Sequence, residues 1–94
     1  MDIKDAFAVA LKQVRTSKRL TQEDFSNVSS RTYVSALERG LKNPTLDKIE
    51  DLAVVMGIHP LTLITLAYMI GRNDLNSTEL FSVVTKELDK LALL

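Results

Sequence analysis

Apolar residues recur at three- and four-residue intervals along nearly the whole chain, and the intervals are interrupted by short polar or glycine-bearing steps. The first stripe, Ile3, Phe7, Ala10, Leu11 and Val14, predicts a helix over about Asp2 to Ser17. A shorter segment follows, with Thr21 as N-cap, Asp24 at reciprocal-cap spacing, then Phe25 and Val28. Beyond the small-polar step Ser29 and Ser30, the segment Arg31 to Arg39 carries Val34 and Leu37 and is stopped by Gly40. A fourth helix is expected after Pro44, capped by Thr45, with Leu46, Ile49, Leu52, Ala53 and Met56 inward and Gly57 as terminator. The fifth has Pro60 in its first turn and is expected to end before Gly71. A last one follows Asn76, where Leu75 and Leu80 have the spacing of a hydrophobic staple and Glu79 that of a capping box. No alternating apolar and polar run and no hairpin dipeptide occurs, so the expected fold class is all-α.

The two short segments between Thr21 and Gly40 cannot hold themselves in water, because isolated helices of that length are marginal. They must cross and bury Phe25, Val28, Val34 and Leu37 in a shared core, which is expected to turn Arg31, Thr32, Ser35 and Ala36 away from it. The 60–70 helix, PLTLITLAYMI, is apolar almost all round, more than one small core requires. Two covers are available. The last helix offers a stripe of Leu80, Phe81, Val84, Leu88 and Leu91, and a second protomer offers its own surface. The chain accordingly divides into a bundle over 1–72 and a C-terminal helix over 73–94 that completes the core, forms a dimer interface, or does both. Leu63, Leu66, Ala67, Ile70, Phe81, Val84 and Leu88 are the expected dimer residues.

Composition narrows the function classes. Ninety-four residues with 46% hydrophobic content suffice for one core without a disulfide or metal. The absence of cysteine removes disulfide scaffolds, thiolate zinc sites and cysteine nucleophiles. The N-terminal stretch carries acids and no unbroken apolar run, so no signal peptide is read. The longest apolar stretch, Leu61 to Ile70, is half of the roughly 20 residues a bilayer crossing needs. A cytoplasmic location is the expectation. His59, the single histidine, precedes Pro60 without a motif partner and reads as a loop or cap residue. Asp47, Glu50 and Asp51 spread over different faces of one helix. With no glycine-rich phosphate loop or ligand spacing, no enzyme, cofactor or metal is expected.

The net charge is zero, but its distribution is uneven. Up to Asn43 there are eight Lys or Arg against five acids, and from Pro44 onward four against seven. Such a split aims the N-terminal half at a polyanion, although an excess of that size is also ordinary for a solvated surface.

Three separated motifs, LTQEDF, SSRTYVSALERG and NPTLDKIEDLA, resemble in order and spacing the lambda-repressor-like (Xre-type) helix-turn-helix family over about residues 4 to 58. The resemblance implies a compact bundle of five helices plus the C-terminal one. Between Phe25 and Ser30 the chain is about two residues shorter than the usual pattern and lacks the glycine common at the turn. The resemblance also implies that the helix at about 30–39 enters the major groove of double-stranded DNA by its N-terminal end. Arg31 then leads base reading through its two-pronged fit to guanine, with Thr32, Ser35 and Ala36 beside it; a phosphate clamp is the other role open to Arg31. Gln22, Tyr33, Lys42, Asn43 and Thr45 are the candidates for the DNA backbone, with Lys18 and Arg19 behind them. Tyr33 is open to either of two roles, a hydroxyl on phosphate or a ring packed beside the turn. Glu38 is implied to pair with Arg15 and so orient the reading helix. Homodimerisation would place two such helices roughly 34 Å apart. Small members of this family include phage-type repressors, restriction-modification controllers and antitoxins, so operator-binding repression or autoregulation is the leading reading. An antitoxin gripping a toxin or other protein partner through the last two helices is the alternative.

Overall fold

The computed structural model describes residues 1–73 and 75–91. Helix α1 (Ile3–Ser17) begins where the Asp2 carboxylate accepts the amide of Asp5 at 2.9 Å. It ends in a Schellman turn, with Arg19 N–H on the Thr16 carbonyl, Leu20 N–H on that of Arg15, and Arg19 itself left-handed at φ 58°. The expected helix from Thr21 proves to be a single 3-10 turn, Gln22–Phe25. Asp24 reaches back to the Thr21 amide at 2.7 Å. The amides of both Val28 and Ser29 then fold onto the Phe25 carbonyl, which ends the helix as soon as Phe25 is buried.

Helix α2 (Arg31–Glu38) is capped by the Ser30 hydroxyl oxygen, which accepts the Tyr33 amide at 3.0 Å. Gly40 stops it at φ +72°, with Leu41 N–H returning to the Ala36 carbonyl. Helix α3 (Leu46–Met56) starts on Thr45 and closes on left-handed Gly57. Helix α4 (Pro60–Arg72) is capped by His59, whose Nδ1 accepts the Leu61 amide at 3.0 Å. It runs through Gly71 instead of ending before it. A Cβ there would lie 3.3 Å from that of Ala6, so the bare backbone lets α4 continue along α1. Helix α5 (Ser77–Lys90) carries the Asn76 and Glu79 capping box.

The core gathers Phe7, Ala10, Leu11, Phe25, Val34, Leu37, Ile49, Leu52, Met56, Leu63 and Ala67, with Val14, Val28 and Tyr33 packed around it. The α1 and α4 pair is the most extensive contact, with the small side chain of Ala6 in α1 facing Gly71 of α4. Two residues expected inside are exposed: Ile3 at 47% and Leu46 at 77%. Each sits in the first turn of its helix, at the rim of an apolar cleft of about 240 Å³ between α1, the 43–46 loop and α4. The core closes without α5, which has no buried residue. Along its expected stripe Phe81 is 42% and Leu91 65% exposed, while Leu80 and Leu88 are half-buried. The last three residues of the expected 73–94 segment lie outside the described residues.

Candidate nucleic-acid interface

Helix α2 offers its first turn to solvent. Arg31 is its first residue, and its only anchor among the described residues is a 3.4 Å contact with Glu23, both side chains being about 70% exposed. A pair so long and so wet is held weakly, leaving the guanidinium available to a stronger acceptor. Thr32 beside it is exposed, and Ser35, one turn on, is half-buried. Ala36 is not part of this face. It is only 6% exposed, although its helical position is one turn on from Thr32. Its methyl group therefore has no access to a base.

The back of α2 is fixed by a side-chain network. Arg15 Nε donates to Glu38 Oε2 at 2.6 Å, and Nη2 donates to Oε1 at 2.9 Å, forming a bidentate pair. The remaining prong, Nη1, donates to the Leu20 carbonyl at 2.9 Å, tying the end of α1 to the same point. Side-chain exposures of 12% for Arg15 and 4% for Glu38 put the pair largely out of water. The hydrogen bond to Glu38 raises the Arg15 pKa above the ordinary guanidinium range, against the opposing effect of burial.

Gln22 joins this network instead of facing outward. Its Nε2 donates to Glu38 Oε1 at 3.2 Å, so its side chain is held sideways at the start of the 3-10 turn. Tyr33 is half-buried against the core, and the Lys48 ammonium lies 5.4 Å from its ring centroid. The ring thus packs beside the turn. Lys42, Asn43 and Thr45 are exposed together in the connection between α2 and α3. Thr45 spends its hydroxyl oxygen on the Lys48 amide, 3.1 Å away, which leaves the hydroxyl hydrogen for another acceptor. Lys18 and Arg19 are exposed at the end of α1.

The residues expected to dimerise separate into three sets. Leu63 and Ala67 are 0% and 1% exposed in the chain's own core and have no surface to offer a partner. Leu66 and Ile70 are half-buried against that core. Phe81 and Val84 are exposed and Leu88 half-buried. The exposed large apolar residues of α4 are instead Leu61 and Tyr68, which with half-buried Ile64 and with Phe81, Val83 and Val84 line a groove of about 300 Å³ between α4 and α5. A helix apolar on every side gives periodicity no means of choosing its core face, so the exposure of Leu61 and Tyr68 is not legible in the sequence.

The helix-turn-helix family model matches residues 11–63, more than half of the chain, from the middle of α1 into α4. This chain belongs to the Xre, lambda-repressor-like helix-turn-helix family. DNA binding and transcription regulation come with that membership. Among curated relatives, this helix-turn-helix protein is 36% identical over 67 residues to the uncharacterized HTH-type transcriptional regulator y4dJ of Sinorhizobium fredii, covering 69% of this chain and 87% of the relative. It is also 36% identical over 66 residues to the control protein C.BamHI of Bacillus amyloliquefaciens, covering 67% and 82%. No solved structure matches it. Among the described residues, no single helix is long and apolar enough to cross a membrane.

Proposed function

We propose that the chain is a sequence-specific regulator that occupies operator half-sites as a homodimer, with the first turn of α2 in the major groove. The observation that carries this is the pairing of an exposed first turn, Arg31 and Thr32, with a buried bidentate lock behind it at Arg15 and Glu38. A reader must present donors to base edges and hold them at a fixed angle, and this helix has both properties. Arg31 addresses guanine, Thr32 and Ser35 the neighbouring bases, and Lys42, Asn43 and Thr45 the flanking phosphates, with the Gln22 main chain at the start of the 3-10 turn. The name of one relative, a control protein, supports a regulatory role, and repression or autoregulation is the form proposed.

The test is fluorescence anisotropy with DNA from upstream of the gene. The expected result is a specific, salt-sensitive complex on an inverted repeat whose half-sites lie about one helical turn apart. Binding that is equal on all sequences would remove the proposal. A second reading, in which α4 and α5 grip a toxin or other protein, is favoured by one observation: α5 lies outside the matched family segment and leaves Phe81, Val83 and Val84 exposed. Sedimentation at micromolar concentration separates the two, a dimer favouring the first and a lone 10.5 kDa species the second.

A further inference from the structure

The turn before α2 reverses without a left-handed residue. The positive-φ positions among the described residues are Arg19, Gly40, Gly57 and Asn73, and none lies between Ser26 and Ser30. The amides of Val28 and Ser29 are satisfied by the Phe25 carbonyl at 2.9 Å each. The Val28 carbonyl finds its donor in another element, the Lys48 ammonium of α3, at 2.7 Å. Lys48 is badly placed for its own helix, since a cation in the first turn faces the positive end of the macrodipole. What compensates it lies across the interface, in the Val28 carbonyl and the face of Tyr33, whose ring centroid is 5.4 Å away. Val28 stands two residues before the Ser30 cap, and Tyr33 stands in the first turn of α2 beside Thr32. One ammonium therefore grips the approach to the reading helix and its first turn at once.

We propose that Lys48 is a positioning residue for base reading: it clamps the turn from Val28 to Ser30 against α3 and fixes the tilt at which Arg31 and Thr32 meet the groove. The proposal rests on α2 being the reading helix. A lysine spent on a carbonyl and a ring is not a phosphate contact, and the two roles differ in what they do to DNA binding. Lys48→Met keeps the stem and removes the ammonium, while Tyr33→Leu keeps the ammonium and removes the ring. Both are measured on a DNA site selected by the wild-type protein from a random pool, on its single-base variants, and across a salt series. The expected result for each variant is about a tenfold loss of discrimination between the selected site and its variants, with the salt slope unchanged. A slope shallower by about 0.9, with equal loss on every sequence, makes Lys48 a phosphate contact and overturns the proposal. Unchanged discrimination also overturns it. Amide spectra of the free protein give an independent reading, with Lys48→Met expected to shift Ser29 through Tyr33. If the wild type selects no sequence, the regulator reading falls by itself, and the clamp stands or falls on those amide shifts.

Discussion

Replacing Arg15 by alanine should cost the fold about 3 kcal/mol, the lower end of what breaking a buried ion pair costs. The lower end applies because Arg15 keeps 12% side-chain exposure, and Gln22 at 3.2 Å still bonds one oxygen of the stranded Glu38. Against that, Glu38 is 4% exposed and loses two charge-assisted bonds, while the Leu20 carbonyl loses a donor at 2.9 Å. For a domain of this size, about 3 kcal/mol corresponds to a fall in melting temperature of roughly 12 to 24 °C. Thermal and urea melts of Arg15→Ala, Glu38→Leu and the double variant Arg15→Met/Glu38→Leu complete the test. The double variant should recover most of the loss, since an apolar pair carries no stranded charge. The Arg15 pKa is raised on folding, so its stabilisation is complete below the unfolded value and fades only as pH climbs through the higher folded one. Its contribution should therefore be flat from neutral to moderately alkaline pH. A loss below about 0.5 kcal/mol for Arg15→Ala, the range of an exposed pair, would refute the reasoning.

Other outcomes follow from the same geometry. Arg31→Ala should weaken binding to a selected operator by about 1 to 3 kcal/mol and relax preference at one base position. Lys42→Ala should instead weaken all sequences alike and lower the salt slope by about 0.9, and anisotropy titrations distinguish the two. Phe81→Asp and Val84→Asp should leave the melting temperature of dilute protein nearly unchanged, because both side chains are exposed, yet abolish the dimer in sedimentation. Gly57→Ala should cost about 1 kcal/mol, because its φ of +68° disfavours a side chain even though nothing lies within 4 Å of the added Cβ. Arg19→Gly, at φ 58°, should be neutral or slightly stabilising, and urea midpoints check both substitutions.

What the sequence disclosed divides by the range of the interaction. Caps are local, so Thr45, Gly57, Gly40 and the Asn76 and Glu79 pair could be read from adjacent residues. The family motifs added the register of α2. Facing is not local. Ala36 is small and one helical turn on from exposed Thr32, and nothing along the chain says that it is covered. Ile3 and Leu46 fit their stripes but stand in first turns at the rim of the core, where they are only partly covered. Leu63 and Ala67 belong to a helix apolar all round, so their burial depends on where α1 lies. The Gln22 side chain finds its partner 16 residues away in the Glu38 network, which adjacent residues do not announce. Lys48 did carry a signal, a cation at the wrong end of a helix, which the opposing Val28 carbonyl and Tyr33 ring explain.

Helix α5 is 14 residues long, and none of its residues is fully buried, Leu80 and Leu88 being half-buried. A helix of that length is marginal in water when nothing covers it. In the proposed dimer, association and the ordering of α5 are then one process, and part of the contact energy goes into winding the helix. The threshold concentration for operator occupancy comes to depend on residues that touch neither DNA nor core, such as exposed Ser82 and Thr85. Intrinsic helix propensity at those two positions becomes a dial on gene expression.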